Sequence, residues 1–223
     1  MSLIYWTVTY SIKYILRLMC RVDAEQLDQV PEHGPLLLVC NHINFIEVPL
    51  MFTHLMPRPV TGFAKAETWD NPIIGRLFDL WGAIPIRRGE ADSNAMRQGL
   101  RALSKGKILA VAPEGTRSGD GCLKQGNPGI VSLAQHSNAP ILPLVYYGSE
   151  LYQENLRKLR RTDFHIRVGK LFKINFYDIG SARSKRQRIV DEVMYQLAIL
   201  LPSQYRGAYS DLSKSTSDYL VFL

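Results

Sequence analysis

Asn41-His42-Ile43-Asn44-Phe45-Ile46-Glu47 places an imidazole five residues ahead of a carboxylate, directly after a short apolar run. A histidine held through one ring nitrogen by a carboxylate is oriented, fixed in tautomer and made more basic, and its other nitrogen can take a proton. On one continuous helix, five residues turn through roughly 500°, so the two side chains would stand about 140° apart and never meet. Asn44 is a good N-cap and Pro49 belongs near a first turn, so a helix is expected to begin between them. His42 would then lie in the strand-to-helix loop and fold back toward Glu47. The same residues fit a second reading, because Asn44-x-x-Glu47 is also a capping box, which makes Glu47 structural. Both readings stay open on the sequence.

Three more polar clusters follow apolar runs. Val111-Ala112-Pro113-Glu114-Gly115-Thr116-Arg117-Ser118 combines a flexible turn, two hydroxyls and a guanidinium, which is suitable equipment for a phosphate. Ile86-Arg87-Arg88-Gly89 and Ala64-Lys65-Ala66-Glu67 each set cations at the end of a run. Any one of them alone reads most simply as a surface salt-bridge site. Four at successive strand ends point to one ligand site, because parallel sheets bind ligands outside the carboxyl ends of their strands.

The elements that must position these residues are legible. Leu36–Cys40, Val60–Ala64, Ala83–Ile86, Ile108–Ala112 and Ile141–Tyr146 read as buried strands, short and bounded by turn residues. Ser93–Ser104 reads as a helix capped by Asp92 or Ser93 and ended by Gly106, and Asn127-Pro128 opens another that runs to about Ser137. Strand–helix alternation predicts an α/β fold with a mostly parallel central sheet flanked by helices. The expected organisation is an N-terminal helical segment at 1–30, an α/β domain at 31–210 and a C-terminal tail at 211–223. The apolar stretch Leu3–Val22 is broken by Lys13, Arg17 and Arg21, too short a run to span a bilayer, and it carries no cleavage site of a signal peptide. As a helix it sets Trp6 and Tyr10 above Lys13 and Arg17, beside a stripe of Val8, Ile12, Ile15 and Met19. That pattern suits either the membrane interface or packing on the domain.

At 223 residues, 46% hydrophobic and 21% charged, the chain has ordinary globular proportions, which excludes disordered, collagen-like and polytopic membrane classes. Its net charge of +7 arises in one place. Arg157 to Arg188 holds eleven Lys and Arg against two Asp and Glu, a local +9 that leaves −2 for the rest. A solvated face is one reading; an anionic membrane, a phosphorylated substrate or nucleic acid is the other. No nucleic-acid reading motif accompanies the charge, so no nucleic-acid partner is expected. Cys20, Cys40 and Cys122 show neither disulfide nor zinc spacing and fit a reducing compartment.

With these blocks in order, the chain resembles the lysophospholipid acyltransferase superfamily, the PlsC-like glycerolipid acyltransferases known for a His-x4-Asp motif. Asn41-His42…Glu47, Gly82–Arg88, Pro113–Ser118 and Ala139–Leu144 carry the resemblance, which covers roughly residues 35–150. It implies transfer of an acyl group from acyl-CoA or acyl carrier protein to a lysophospholipid hydroxyl, most simply 1-acyl-glycerol-3-phosphate to phosphatidate; the alternatives are another lysolipid acceptor, or a non-catalytic homologue that binds anionic lipid, with Glu47 marking a lost site. His42 would be the general base and Glu47 its orienting carboxylate. Lys65, Arg88, Glu114, Gly115, Thr116 and Arg117 would form the acceptor's phosphate site, with Glu114 holding either the acceptor or the loop. Neither metal nor cofactor is implied, and the enzyme would work at the cytoplasmic face of the membrane as a peripheral or monotopic protein. Two departures stand out: Glu47 replaces the family's Asp, and Gly126-Asn127-Pro128-Gly129 stands where Phe-Lys-x-Gly is expected.

Overall fold

The computed structural model describes residues 2–89, 91–177 and 183–223, except for the side chain of Arg183. In chain order the elements are α1 (Leu3–Met19), β1 (Cys20–Asp23), β2 (Leu36–Cys40), α2 (Glu47–His54), β3 (Val60–Lys65), α3 (Pro72–Leu80), β4 (Ile84–Ile86), α4 (Ser93–Ser104), β5 (Ile108–Val111), α5 (Gly129–Ser137), β6 (Ile141–Tyr147), α6 (Tyr152–Arg157), β7 (Thr162–Val168), β8 (Phe172–Ile174), α7 (Arg183–Leu200) and β9 (Leu220–Phe222).

A strand apolar at every position can be stable only with both faces covered, and β2 is such a strand. Leu36, Leu38 and Cys40 point to one layer with Leu16 of α1 and Leu50 and Phe52 of α2. Leu37 and Val39 point to the other, with Leu103 of α4, Ile130 of α5 and Val190 of α7. The sheet order is β1-β7-β6-β2-β5-β3-β4, with β8 beside β6 and β9 beside β8. Strands β2 to β6 run parallel, whereas β7 and β8 run antiparallel to β6. The fold is α/β with a mostly parallel sheet between helical layers, as the strand–helix alternation predicts.

The expected boundaries at 30/31 and 210/211 are not boundaries in the sheet. β1 pairs with β7 from Cys20↔Thr162 to Asp23↔His165, so the sheet begins inside the supposed N-terminal segment. β9 pairs with β8, and Leu223 donates to the Leu171 carbonyl, which draws the tail into the same sheet. α1 lies on α2, and Thr9 takes a hydrogen bond from the Trp81 indole at 3.2 Å. Among the described residues, no helix is long and apolar enough to cross a membrane.

One irregularity positions the site. β3 pairs with β5 only from Val60 to Gly62, and from Phe63 to Lys65 it pairs with β4 instead. Toward their carboxyl ends β3 and β5 therefore part, and a cavity opens between them.

Candidate functional site

The loop after β2 folds back on itself around Glu47, the first residue of α2. Glu47 is buried, and its Oε2 lies 2.9 Å from Nδ1 of His42. The backbone amides of Ile43 and Asn44 donate to the same carboxylate at 3.0 Å, and the Ser149 hydroxyl donates to its Oε1 at 3.0 Å. A carboxylate has only acceptor oxygens, so the ring nitrogen facing it is the donor, and in the neutral imidazole that tautomer leaves the Nε2 lone pair free. The two readings of this loop thus coexist in one side chain. Glu47 closes half a capping box on the Asn44 amide and also holds the imidazole. Asn44 is not the N-cap of α2, however; Ile46 is, and the Asn44 side chain accepts from the Ile46 amide at 2.9 Å.

A second loop, from Pro113 to Asn127, is stitched to the first. The Ser118 and Gly119 amides donate to the carbonyls of His42 and Ile43, at 2.8 and 3.0 Å. Glu114 returns the link: its two oxygens accept from the amides of His42 and Lys124, at 3.0 and 2.9 Å. Glu114 therefore holds the loops together, which is one of the two roles the sequence left open to it. Burial raises its pKa to about 7, against the lowering pull of the Lys124 and His42 amides. A carboxyl raised in this way contributes stability that is complete below its ordinary 4.5 and is lost as pH climbs through about 7. Between about pH 6 and pH 8 the wild-type chain should lose thermal stability relative to Glu114→Gln. A Tm difference that stays constant across that window would contradict the assignment.

Beyond Glu114 the turn exposes Gly115, at φ +67°, and then Thr116 and Arg117. The amides of Thr116 and Arg117 make no hydrogen bond among the described residues. The Arg88 guanidinium is held below its ordinary pKa by burial and then by the nearby charge of Arg117, with Glu67 opposing. Neither arginine side chain forms an ion pair or hydrogen bond among the described residues. Two nearby cations whose guanidinium groups are not paired form a place that an anion would relieve. Lys65 is not part of it: exposed at the end of β3, it pairs with Glu67 at 3.1 Å on the surface.

His42, Glu47, Arg88 and Gly115 line one cavity of about 220 Å³ where β3 and β5 part. Away from His42 its walls are hydrocarbon and aromatic, including Met51, Phe52, Phe63 and Met96, and its strand side is kept open by small residues, Gly62, Ala64 and Ala110. The cavity thus joins the carboxylate-held imidazole of His42 to an apolar slot, with the Arg88 guanidinium also in its lining. Cys40 also lines it, but burial pushes that thiol up to about 12. No group of three or more His, Cys, Asp and Glu among the described residues is placed to hold a metal ion.

Three supporting residues escaped the sequence reading. Ser149 binds Glu47 across 102 residues, and nothing local announces it. Asn127 donates to the carbonyls of Pro113 and Glu114, both at 3.1 Å, and so shapes the turn. The lysine expected at 126–129 is present three residues earlier. Leu123-Lys124-Gln125-Gly126 has the pattern with Leu for Phe, and Lys124 Nζ donates to the Arg117 carbonyl at 2.7 Å. Gly126 packs so tightly on Val190 and Met194 of α7 that a Cβ would lie 2.6 Å from Val190.

The model of the Acyltransferase family matches residues 21–147, more than half of the chain and all of the residues around His42, Arg88 and Arg117. The chain belongs to that family. This acyltransferase is 28% identical over 154 residues to the 1-acyl-sn-glycerol-3-phosphate acyltransferase of Bacillus subtilis (strain 168), covering 67% of this chain and 76% of that one. It is 34% identical over 118 residues to the 1-acyl-sn-glycerol-3-phosphate acyltransferase of Limnanthes alba, covering 52% and 42%. Over 111 residues it is 31% identical to the lyso-ornithine lipid O-acyltransferase of Pseudomonas aeruginosa, covering 49% and 42%. It thus spans less than half the length of the latter two. The crystal structure of the 1-acyl-sn-glycerophosphate acyltransferase PlsC from Thermotoga maritima superposes with a TM-score of 0.63 at 21% identity, over 85% of this chain and 76% of that one. The shared fold covers more of the chain than the family match does.

Proposed function

We propose that the acyltransferase moves a fatty acyl group from a thioester, acyl-CoA or acyl carrier protein, to the free hydroxyl of 1-acyl-glycerol-3-phosphate, forming phosphatidate. The observation that carries this reading is the His42–Glu47 pair at the polar end of an apolar cavity, with Arg88 on its rim. Nε2 of His42 takes the hydroxyl proton as the oxygen attacks the thioester carbonyl. The tetrahedral intermediate collapses with departure of the thiolate, and the proton returns from the imidazolium to the sulfur. Glu47 fixes the ring and stabilises the imidazolium between those steps. The acyl chain occupies the apolar part of the cavity, and the acceptor's phosphate lies between Arg88 and Arg117, where the Thr116 and Arg117 amides add neutral donors. Neither metal nor cofactor takes part in these steps.

The membrane placement is part of the same reading. α1 turns Leu3, Tyr14, Ile15 and Leu18 outward, each more than half exposed, while Thr9 and Leu16 are buried on the domain. Such a helix suits a peripheral or monotopic position on the cytoplasmic leaflet, where the lysolipid resides.

The deciding experiment offers one acyl thioester to a panel of lysolipids, among them lysophosphatidate and lyso-ornithine lipid, and follows thiol release together with product mass. Thiol release that requires lysophosphatidate supports the reading; release with every acceptor except those bearing phosphate would refute it. Arg117→Ala should raise KM for lysophosphatidate by about 10- to 100-fold, the worth of one charged hydrogen bond, with KM for the thioester nearly unchanged. Equal loss for both substrates would contradict a phosphate role.

A further inference from the structure

The basic run from Arg157 to Arg188 is not one surface in the folded chain. Arg186 and Arg188 belong to α7, which packs on the sheet face opposite to α1 and α2. Arg188 is paired with Asp218 at 3.2 Å and lies over the Tyr219 ring. Residues 178–182 and the side chain of Arg183 lie outside the described residues. Arg157–Arg161 is on the other layer, where Tyr152 of α6 is buried in the same cluster as Leu16 of α1. The Arg161 guanidinium donates to the carbonyls of Arg17 and Cys20, at 2.7 and 2.8 Å, and so closes the last turn of α1.

The turn before Arg161 is unusual. Leu159 is 94% exposed and has φ +52°, a left-handed conformation that bulky residues rarely adopt. The turn is tied down by bonds from the Leu159 amide to the Leu156 carbonyl and from the Arg160 amide to the Asn155 carbonyl, at 3.1 and 2.8 Å. Around this outward leucine stand Leu156, Arg157, Lys158 and Arg160, all exposed. Lys158 is paired with Glu154, whose carboxyl also feels the charge of Arg160, whereas the side chains of Arg157 and Arg160 form no ion pair or hydrogen bond among the described residues. The turn adjoins the end of α1, with its exposed Leu18. The Tyr152 hydroxyl reaches Met19 at the same helix end, and the Tyr152 ring meets edge-on at 5.6 Å the half-exposed Phe45, which lies between His42 and Glu47 in the chain.

We infer that the loop joining α6 to β7 is a second bilayer contact: Leu159 enters the headgroup region of an anionic leaflet, with Arg157, Lys158 and Arg160 on lipid phosphates. This rests on the placement of α1 at the membrane and extends it. A single leucine on a convex turn offers an acidic protein no pocket, whereas a leaflet accepts it together with the outer face of α1. Docking on both elements sets the loop that carries His42 beside the lipid surface, which is where a lysolipid must leave the bilayer.

Binding of the full chain is measured on phosphatidylcholine vesicles with and without phosphatidylglycerol. Leu159→Asn should keep or raise Tm, because asparagine tolerates the left-handed conformation, yet lower affinity for anionic vesicles about tenfold through the lost apolar burial. Arg157→Gln with Arg160→Gln should lower affinity for anionic vesicles by roughly fivefold per cation, with no change on pure phosphatidylcholine. Arg186→Gln with Arg188→Gln should bind as wild type. Unchanged binding by Leu159→Asn, or equal losses from the two arginine pairs, overturns the loop assignment. So does loss of binding to an acidic carrier protein with vesicle binding intact. If wild type itself binds no vesicle, the membrane placement of α1 fails; if wild type binds and the loop variants bind equally, only the loop contact fails.

Discussion

His42→Ala is expected to lower acyl transfer by about 10²–10⁴-fold, the usual worth of a positioned general base, while the chain remains folded. The fold should survive because the structural duties of residue 42 are performed by its backbone. Its amide donates to Glu114 and its carbonyl accepts from Ser118, and alanine keeps both. The ring itself lines the cavity and belongs to neither apolar cluster. Thiol release with lysophosphatidate, measured beside a thermal melt, separates the two effects. A Tm near wild type with turnover lost supports a base; full turnover in this variant removes His42 from the mechanism.

What could be read beforehand follows a physical division. The parallel half of the sheet was legible because β2, β5 and the start of β6 are continuous apolar runs bounded by turns, and because β2, β3, β4 and β5 are each followed by a polar cluster. The antiparallel half was not, although β7 carries a clean signal. Thr162, Phe164, Ile166 and Val168 are buried and alternate with Asp163, His165 and Arg167. That alternation was hidden inside a stretch dominated by cations, where composition masked period. β1 and β9 are short, and β1 finds its partner more than 140 residues away, so no local pattern could place it.

The site shows a similar division. The His–Glu spacing predicted a fold-back because a continuous helix forbids the contact, and the loop makes that contact. For Glu114 the sequence left two roles open, acceptor ligand or loop tie. Spacing alone could not choose, and in the fold its two oxygens accept from the backbone amides of His42 and Lys124, which is the loop tie. Lys65 follows the part of β3 that lines the cavity, Gly62 to Ala64, and its amine pairs with Glu67 on the surface.

Glu47→Gln provides the sharpest test of what the carboxylate does, because the two readings of Asn44-x-x-Glu47 diverge in that variant. A capping box accepts glutamine as readily as glutamate, so a purely structural Glu47 predicts near-wild-type turnover. The observed contacts predict otherwise. Oε1 accepts from the Asn44 amide and the Ser149 hydroxyl, and Oε2 accepts from Nδ1 of His42 and the Ile43 amide. A glutamine amide placed at Oε2 would face two donors and force His42 into the tautomer whose Nε2 already carries a proton. Placed at Oε1, it can donate to Ser149, whose hydroxyl rotates, while the Asn44 amide keeps its second contact to Oε2 at 3.1 Å. The second arrangement costs less and preserves the tautomer. What remains lost is the negative charge beside the developing imidazolium, in a buried setting where charge counts most. Turnover should therefore fall about 10²–10³-fold with only a small change in Tm. Glu47→Asp keeps the charge on a side chain one methylene shorter and should lose about tenfold or less. Glu47→Ala abandons the Ile43 and Asn44 amides as well, and should cost about 2–4 kcal/mol of stability in addition to activity. The order Asp above Gln above Ala in kcat/KM, with only Ala strongly destabilised, identifies a positioned charge; Gln equal to wild type would leave Glu47 as a helix cap.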